Sequence, residues 1–256
     1  MEPESKKRFQ YITVLLIVLL GIRLGFILYQ RHEAAKPAEK KTPTYSSNMD
    51  DYVLPPKIHP YDLKTAAKEL VGKTVWVRAG NSVHYYSFSN ATHTADLKHE
   101  KALLPPLAKL QVKDVVLQRA PSGTLAEGQV AVVQKQVLAA FQMADDPATY
   151  AVTIGTNTGD DFEFTVNDLF FFADPHELYK HWPPETWQAI DQHQAKQGMN
   201  ETQVSFALGT SATGSGDYGN RTLEFTNNDH PVTVTFANNK AVSVKEEPPA
   251  QPAPSK

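Results

Sequence analysis

The sequence has no cysteine among its 256 residues. That absence excludes a disulfide framework, thiolate chemistry and lipid attachment through a lipobox, while remaining compatible with an oxidising compartment. An excess of one charge is missing too: 25 Lys and Arg stand against 28 Asp and Glu, for a formal net charge of −3. No basic block breaks that balance, whereas a nucleic-acid-binding domain would cluster Lys and Arg, so no nucleic-acid partner is expected. A phosphate loop is lacking as well. The glycines between Gly209 and Gly219 are irregularly spaced with no Lys-Ser or Lys-Thr after them, and the stretch reads as a flexible loop.

Metal chemistry finds little support. His176-Glu177-Leu178-Tyr179-Lys180-His181 invites a zinc reading, but a helical zinc pair needs His at i and i+4, and i and i+5 lie about 140° apart. His84, His93, His99 and His193 show no close ligand spacing and read as solvated or hydrogen-bonded side chains. The doublets Asp145-Asp146 and Asp160-Asp161 sit at turns, where Asp serves backbone hydrogen bonds; calcium binding is the rarer alternative. Asn-x-Thr triplets at Asn90, Asn200 and Asn220 would accept glycans only in a eukaryotic secretory pathway. No cofactor, metal or catalytic set is expected, and the chain reads as a non-enzyme.

What the sequence does contain begins with an apolar run. Residues 11–29, Tyr11 to Tyr29, approach the roughly 20 apolar residues that cross a bilayer. The flanking tyrosines, with Lys6, Lys7 and Arg8 before and Arg31 after, are what a spanning helix carries at its interfaces. Arg23 costs on the order of 3 kcal/mol at mid-bilayer, a penalty that snorkelling lowers. A cleaved signal would have a shorter apolar core and an A-x-A-like site, which Arg31-His32-Glu33-Ala34-Ala35 does not offer. The reading is an uncleaved single-pass signal-anchor in the inner membrane, with the bulk on the periplasmic side.

The expected organisation is a tail over residues 1–10, the transmembrane helix over 11–29 and a Pro-rich disordered linker over 30–60. A β-rich domain over 61–182, a second domain over 183–245 and a disordered tail over 246–256 complete it. Within 61–182, a short helix from Tyr61 to Leu70 precedes strands at 73–78, 83–88, 112–118, 129–138, 150–155 and 162–166. Short strands separated by turns suggest a small antiparallel β-barrel-like domain. In the last domain a helix over about 185–196 leads to Gly198 as its stop. Asn200 caps the next helix, Gln203 completes a capping box and Gly209 ends it, before three strands at 222–226, 231–237 and 240–245. The fold class is thus α+β: a transmembrane helix, a barrel-like domain and a helix-helix-three-strand unit.

That last unit carries a resemblance. Gly198-Met199-Asn200-Glu201-Thr202-Gln203-Val204, Ala207-Leu208-Gly209, Thr222-Leu223-Glu224-Phe225 and the segment from Val232 to Val242 containing Phe236-Ala237-Asn238-Asn239-Lys240 resemble the SmpA/OmlA (BamE-like) family. These are small lipoproteins of the outer-membrane β-barrel assembly machine. The resemblance covers about 183–245 and implies an exported module that binds other proteins; the lipobox cysteine of that family is missing here.

Aromatics are the remaining signal, in Tyr85-Tyr86, Phe170-Phe171-Phe172, Tyr179, Trp182 and Trp187. Neighbours on a strand point to opposite faces, so Phe171 cannot share a face with Phe170 and Phe172. Tyr85, Tyr86, Phe171 and Trp182 are the candidate partner-binding residues, the alternative being that these aromatics form a core between the two domains. The function expected is a membrane-anchored envelope protein that binds another envelope protein, as an assembly or scaffold module. A hydrolase of envelope polymer, with carboxylates that cannot be placed, is the competing class.

Overall fold

A computed structural model describes residues 49–119, 135–144, 146–227 and 230–246, together with positions 21, 23–26 and 29. The chain divides into two units, Met1–Asn48 and Met49–Lys256. In the first, the described positions Gly21, Arg23, Leu24, Gly25, Phe26 and Tyr29 are helical, while 11–20 and the expected tail over 1–10 lie outside the described residues. Among the described residues no helix is long and apolar enough to cross a membrane. The single-pass anchor and the inner-membrane, periplasm-facing location derived from it are corrected accordingly. The described helical positions place the charged Arg23 beside Leu24, Gly25 and Phe26, and an arginine inside a bilayer is costly.

In the second unit, among the described residues, helix α1 (Leu63–Leu70) is followed by a sheet of eight strands: β1 (Thr74–Val77), β2 (His84–Ser89), β3 (Thr94–Leu103), β4 (Lys109–Arg119), β5 (Lys135–Met143), β6 (Asp146–Thr158), β7 (Asp161–Phe164) and β8 (Phe170–Phe171). Their order is β3-β2-β6-β5-β4-β1-β8, with β7 also on β6, and every pair is antiparallel. The central strands are buried on both faces. Val137, Ala139 and Phe141 of β5 and Val152 and Ile154 of β6 enter a core under α1 with Leu70, Leu104 and Phe170. Leu138, Ala140 and Ala151 point the other way and are covered by Phe88 and Ala95 of the β2–β3 hairpin. Because side chains alternate along a strand, a doubly covered strand reads as a continuous apolar run. A register shift between Val112 and Asp114 places Val112 and Val115 in the same core, as a bulge does.

The sheet curls without closing, which corrects the barrel-like expectation. β3 meets β4 only through side chains: the Ala95 N–H donates to Gln118 Oε1 and Gln118 Nε2 donates to the Ala95 carbonyl, both at 2.8 Å. His93 Nδ1 lies 2.6 Å from Asp114 Oδ2 nearby. Side-chain bridges satisfy those strand groups where a ladder would close a barrel.

A short helix α2 (Val166–Leu169) and a single turn α3 (Pro175–Leu178) lead to α4 (Pro184–Asp191) and α5 (Glu201–Leu208), then β9 (Thr213–Asp217), β10 (Asn220–Phe225), β11 (Val232–Ala237) and β12 (Lys240–Glu246). These last strands form an antiparallel sheet in the order β12-β11-β10-β9. The unit thus has four described strands, not three, because the Gly- and Ser-rich stretch read as flexible is itself an edge strand. A Cβ at Gly214 would stand 2.4 Å from Leu223 Cδ2, so glycine there allows a close strand approach. α4 ends earlier than expected, with His193 at φ 54° and Gly198 at φ 87°. Asn200 and Gln203 make the reciprocal capping box.

The two lobes share β1 and β8. Val77 and Phe170 face the sheet core while Trp76 and Phe171 face the core of the helical lobe. Asn81 Nδ2 donates to the Leu208 carbonyl at 2.8 Å and the Thr210 N–H to the Gly80 carbonyl at 2.8 Å. Residues 49–60, expected as disordered linker, pack as a strap on this body. Val53 contacts the helical core and Ile58 the sheet core, and Asn167 bonds both the N–H and the carbonyl of Ile58 at 3.0 and 2.8 Å. Residues 30–48 of that linker and 247–256 of the tail lie outside the described residues.

Candidate partner-binding site

The four residues singled out in the sequence do not come together. Tyr85 is half-buried on β2, with its ring 5.0 Å from that of Tyr150, and packs on the sheet core. Tyr86 points the other way, half-buried against the Leu138 side. Phe171 and Trp182 are 2% and 5% exposed inside the helical core. As an exposed patch they are therefore corrected: Phe171 offers a partner no surface, because the alternation of β8 turns it into the core the second lobe supplies.

A surface is nonetheless built around Trp182. The α3 turn begins with Pro175, and the Asp174 side chain caps it by accepting the His176 N–H at 2.9 Å. α4 starts with Pro184 in its first turn, where proline's fixed φ suits a helix start. These two elements hold Trp182 and Trp187 side by side, ring centroids 5.2 Å apart, on a cluster with Tyr179 and Phe206. Trp187 Nε1 donates to the Tyr179 carbonyl at 3.3 Å, so its indole is fixed. Burial, with the Asp50 charge nearby, pushes the Tyr179 hydroxyl above its ordinary pKa.

Above these indoles opens a hollow of about 550 Å³ lined by His176, Lys180, Trp182, Pro184, Trp187, Gln188, Asp191 and Gln192. The His176 ring stacks on Trp187 at 4.0 Å, steered by Asp174 and Asp191, each 3.3 Å from one ring nitrogen. Apolar ring surface at the floor and ionisable groups at the rim suit the capture of a side chain from another molecule. His176 and His181 serve separate partners: His181 Nε2 lies 2.6 Å from Asp50 Oδ1. Among the described residues no group of three His, Asp or Glu is placed to hold a metal ion.

Residues that sequence reasoning did not connect also shape this lobe. Glu201, 3% exposed, accepts from the Gly219 N–H at 2.5 Å and from Arg221 Nε and Nη2 at 2.9 and 2.7 Å. Those bonds raise the Arg221 guanidinium above its ordinary pKa. The only local sign was an acidic residue in the first turn of α5, where the helix dipole already favours one. No family model, no curated protein and no solved structure matches this chain.

Proposed function

We propose that the chain is a non-enzymatic protein-binding module that holds its partner through the Trp182–Trp187 hollow of the helical lobe. The observation that carries this reading is the pairing of two positionally fixed indoles beneath an open hollow with His176, Lys180 and Asp191 at its edge. Trp is enriched among the few residues that dominate binding energy at protein interfaces, where a rigid aromatic surface binds at small entropic cost. The resemblance of 183–245 to the SmpA/OmlA family supports the same class.

The test is site-specific photocrosslinking from the full chain in its native cells. A photoreactive residue at Gln188 should give discrete protein adducts, and one at Lys113, on the exposed side of β4, should not. Indistinguishable adduct patterns from the two positions, or none from Gln188, would contradict the reading.

A further inference from the structure

The strap over residues 49–60 enters the helical lobe through one carboxylate. Asp50, in the 3-10 turn Met49–Tyr52, has a side chain only 8% exposed. Trp182 Nε1 donates to its Oδ1 at 2.6 Å, His181 Nε2 lies 2.6 Å from the same oxygen, and Asn200 Nδ2 donates to Oδ2 at 2.7 Å. An ionised carboxylate only accepts, so His181 presents its Nε2–H here. These three donors are more than 130 residues away in sequence, and Asn200 and Trp182 are oriented by the body of the lobe independently of the strap. Asn200 is fixed by capping α5, its Oδ1 accepting the Gln203 N–H at 2.8 Å. Trp182 is held against Tyr179, Trp187 and Phe206 at centroid distances of 4.5, 5.2 and 5.1 Å. His181 lies within 6.1 Å of the Tyr179 ring.

Convergent donors with their own supports are what a preorganised carboxylate site requires. Past the carboxylate the strap completes its turn, the Val53 N–H donating to the Asp50 carbonyl at 3.1 Å, which sets Val53 beside the same core and leaves Tyr52 and Leu54 74% and 87% exposed. Its outer face thus carries large apolar side chains with nothing of the body over them.

The geometry points to His181, Trp182 and Asn200 as a recognition site for an acidic side chain in a single-turn peptide segment of a partner protein, filled in the free chain by Asp50 as a built-in competitor. The matching peptide has Asp, then an apolar residue three positions on, as Asp50 and Val53 stand in the strap. This rests on the proposed protein-binding function and names the ligand chemistry beside the indole hollow, which shares Trp182. Being part of the same chain, Asp50 competes at an effective concentration on the order of millimolar. A partner segment must therefore displace the strap to bind.

The test uses the full chain and a fluorescently labelled synthetic peptide of residues 49–60, read by anisotropy. Asp50→Ala should bind this peptide at least tenfold more tightly than the unmodified chain does. The same peptide carrying Asp50→Asn should bind Asp50→Ala at least tenfold more weakly, and adding His181→Ala to Asp50→Ala should weaken binding of the acidic peptide. Asp50→Asn in the protein, closer in shape, serves if Asp50→Ala does not unfold cooperatively. A folded variant that binds neither peptide, binds both equally, or binds no better than the unmodified chain overturns the proposal. Crosslinks from Gln188 that persist in that variant would leave the protein-binding reading intact, whereas their absence in every form of the chain contradicts the broader reading itself.

Discussion

The two lobes reach a folded state by different means. The sheet lobe buries long strands on both faces, and its interior is almost wholly apolar, from Val75 and Phe141 to Leu138 and Ala151. The helical lobe is smaller, and polar groups tie its parts together at named points: Glu201 to Arg221 and Gly219, and Asp50 to His181, Trp182 and Asn200. Non-directional burial tolerates adjustment, whereas a hydrogen-bonded buried charge demands one geometry. The lobe with specific polar ties is also the one carrying the open indole hollow.

The largest expected effect sets the lobes against each other. Glu201→Ala removes the acceptor of Arg221 and of the Gly219 N–H; the Arg221 side chain is 32% exposed, so water hydrates much of what is stranded and the loss should be roughly 1–3 kcal/mol. Replacing both partners, Glu201→Met with Arg221→Leu, should recover only part of that loss, because an apolar pair strands no charge but leaves the Gly219 N–H without its acceptor. In the sheet lobe Leu138→Ala, at a fully buried site, should cost roughly 2–5 kcal/mol by cavity formation, with no polar partner to restore. Thermal unfolding of the four proteins measures the contrast. A Glu201→Ala chain as stable as the unmodified one would show that the polar tie contributes little.

A smaller effect isolates the contact between lobes. A Cβ at Gly209 would lie 2.3 Å from the Gly80 carbonyl oxygen, while at Gly198 nothing stands within 4 Å, and both have φ 87°. Gly198→Ala should therefore cost only the left-handed backbone penalty, about 1 kcal/mol, and Gly209→Ala distinctly more, measured by denaturant unfolding. Equal losses would mean that the lobes separate easily at this point.

What the sequence made legible was local. The Asn200 cap with Gln203 and the stop at Gly209 are settled by neighbours within a few residues, and the structure places each as expected. The opposed faces of Phe170 and Phe171 followed from strand alternation alone. Features fixed by distant chain were not legible. Nothing near Asp50 announces Asn200; the apolar run Val137 to Phe141 signals burial on both faces, but not that a curled hairpin covers the second. The Gly214–Gly216 strand was mistaken for a loop because glycine signals both flexibility and close approach, and only the opposing Leu223 distinguishes them. The candidate site was half visible: its indoles stood out in the sequence, but their burial, and the role of His176 in stacking on Trp187, depended on tertiary packing.

The smallest effect belongs to the sheet lobe. The Tyr150 hydroxyl donates to Asp146 at 2.7 Å and, with the Ala148 N–H, holds the Asp146 carboxyl below its ordinary value of 3.8. A depressed carboxyl stabilises the fold above the unfolded pKa, and that contribution is lost as pH falls through the folded one. Acid unfolding of Asp146→Asn should accordingly be slightly less steep below about pH 4 than that of the unmodified chain. An identical acid limb would show that this bond adds nothing to the sheet.

The central claim is that recognition resides in the helical lobe while the sheet lobe supports it. Amide hydrogen exchange of the full chain, with and without the protein crosslinked from Gln188, tests this most directly. Slowed exchange over residues 176–192, with residues 109–119 of β4 unchanged, is the predicted result; protection confined to the sheet lobe would contradict it.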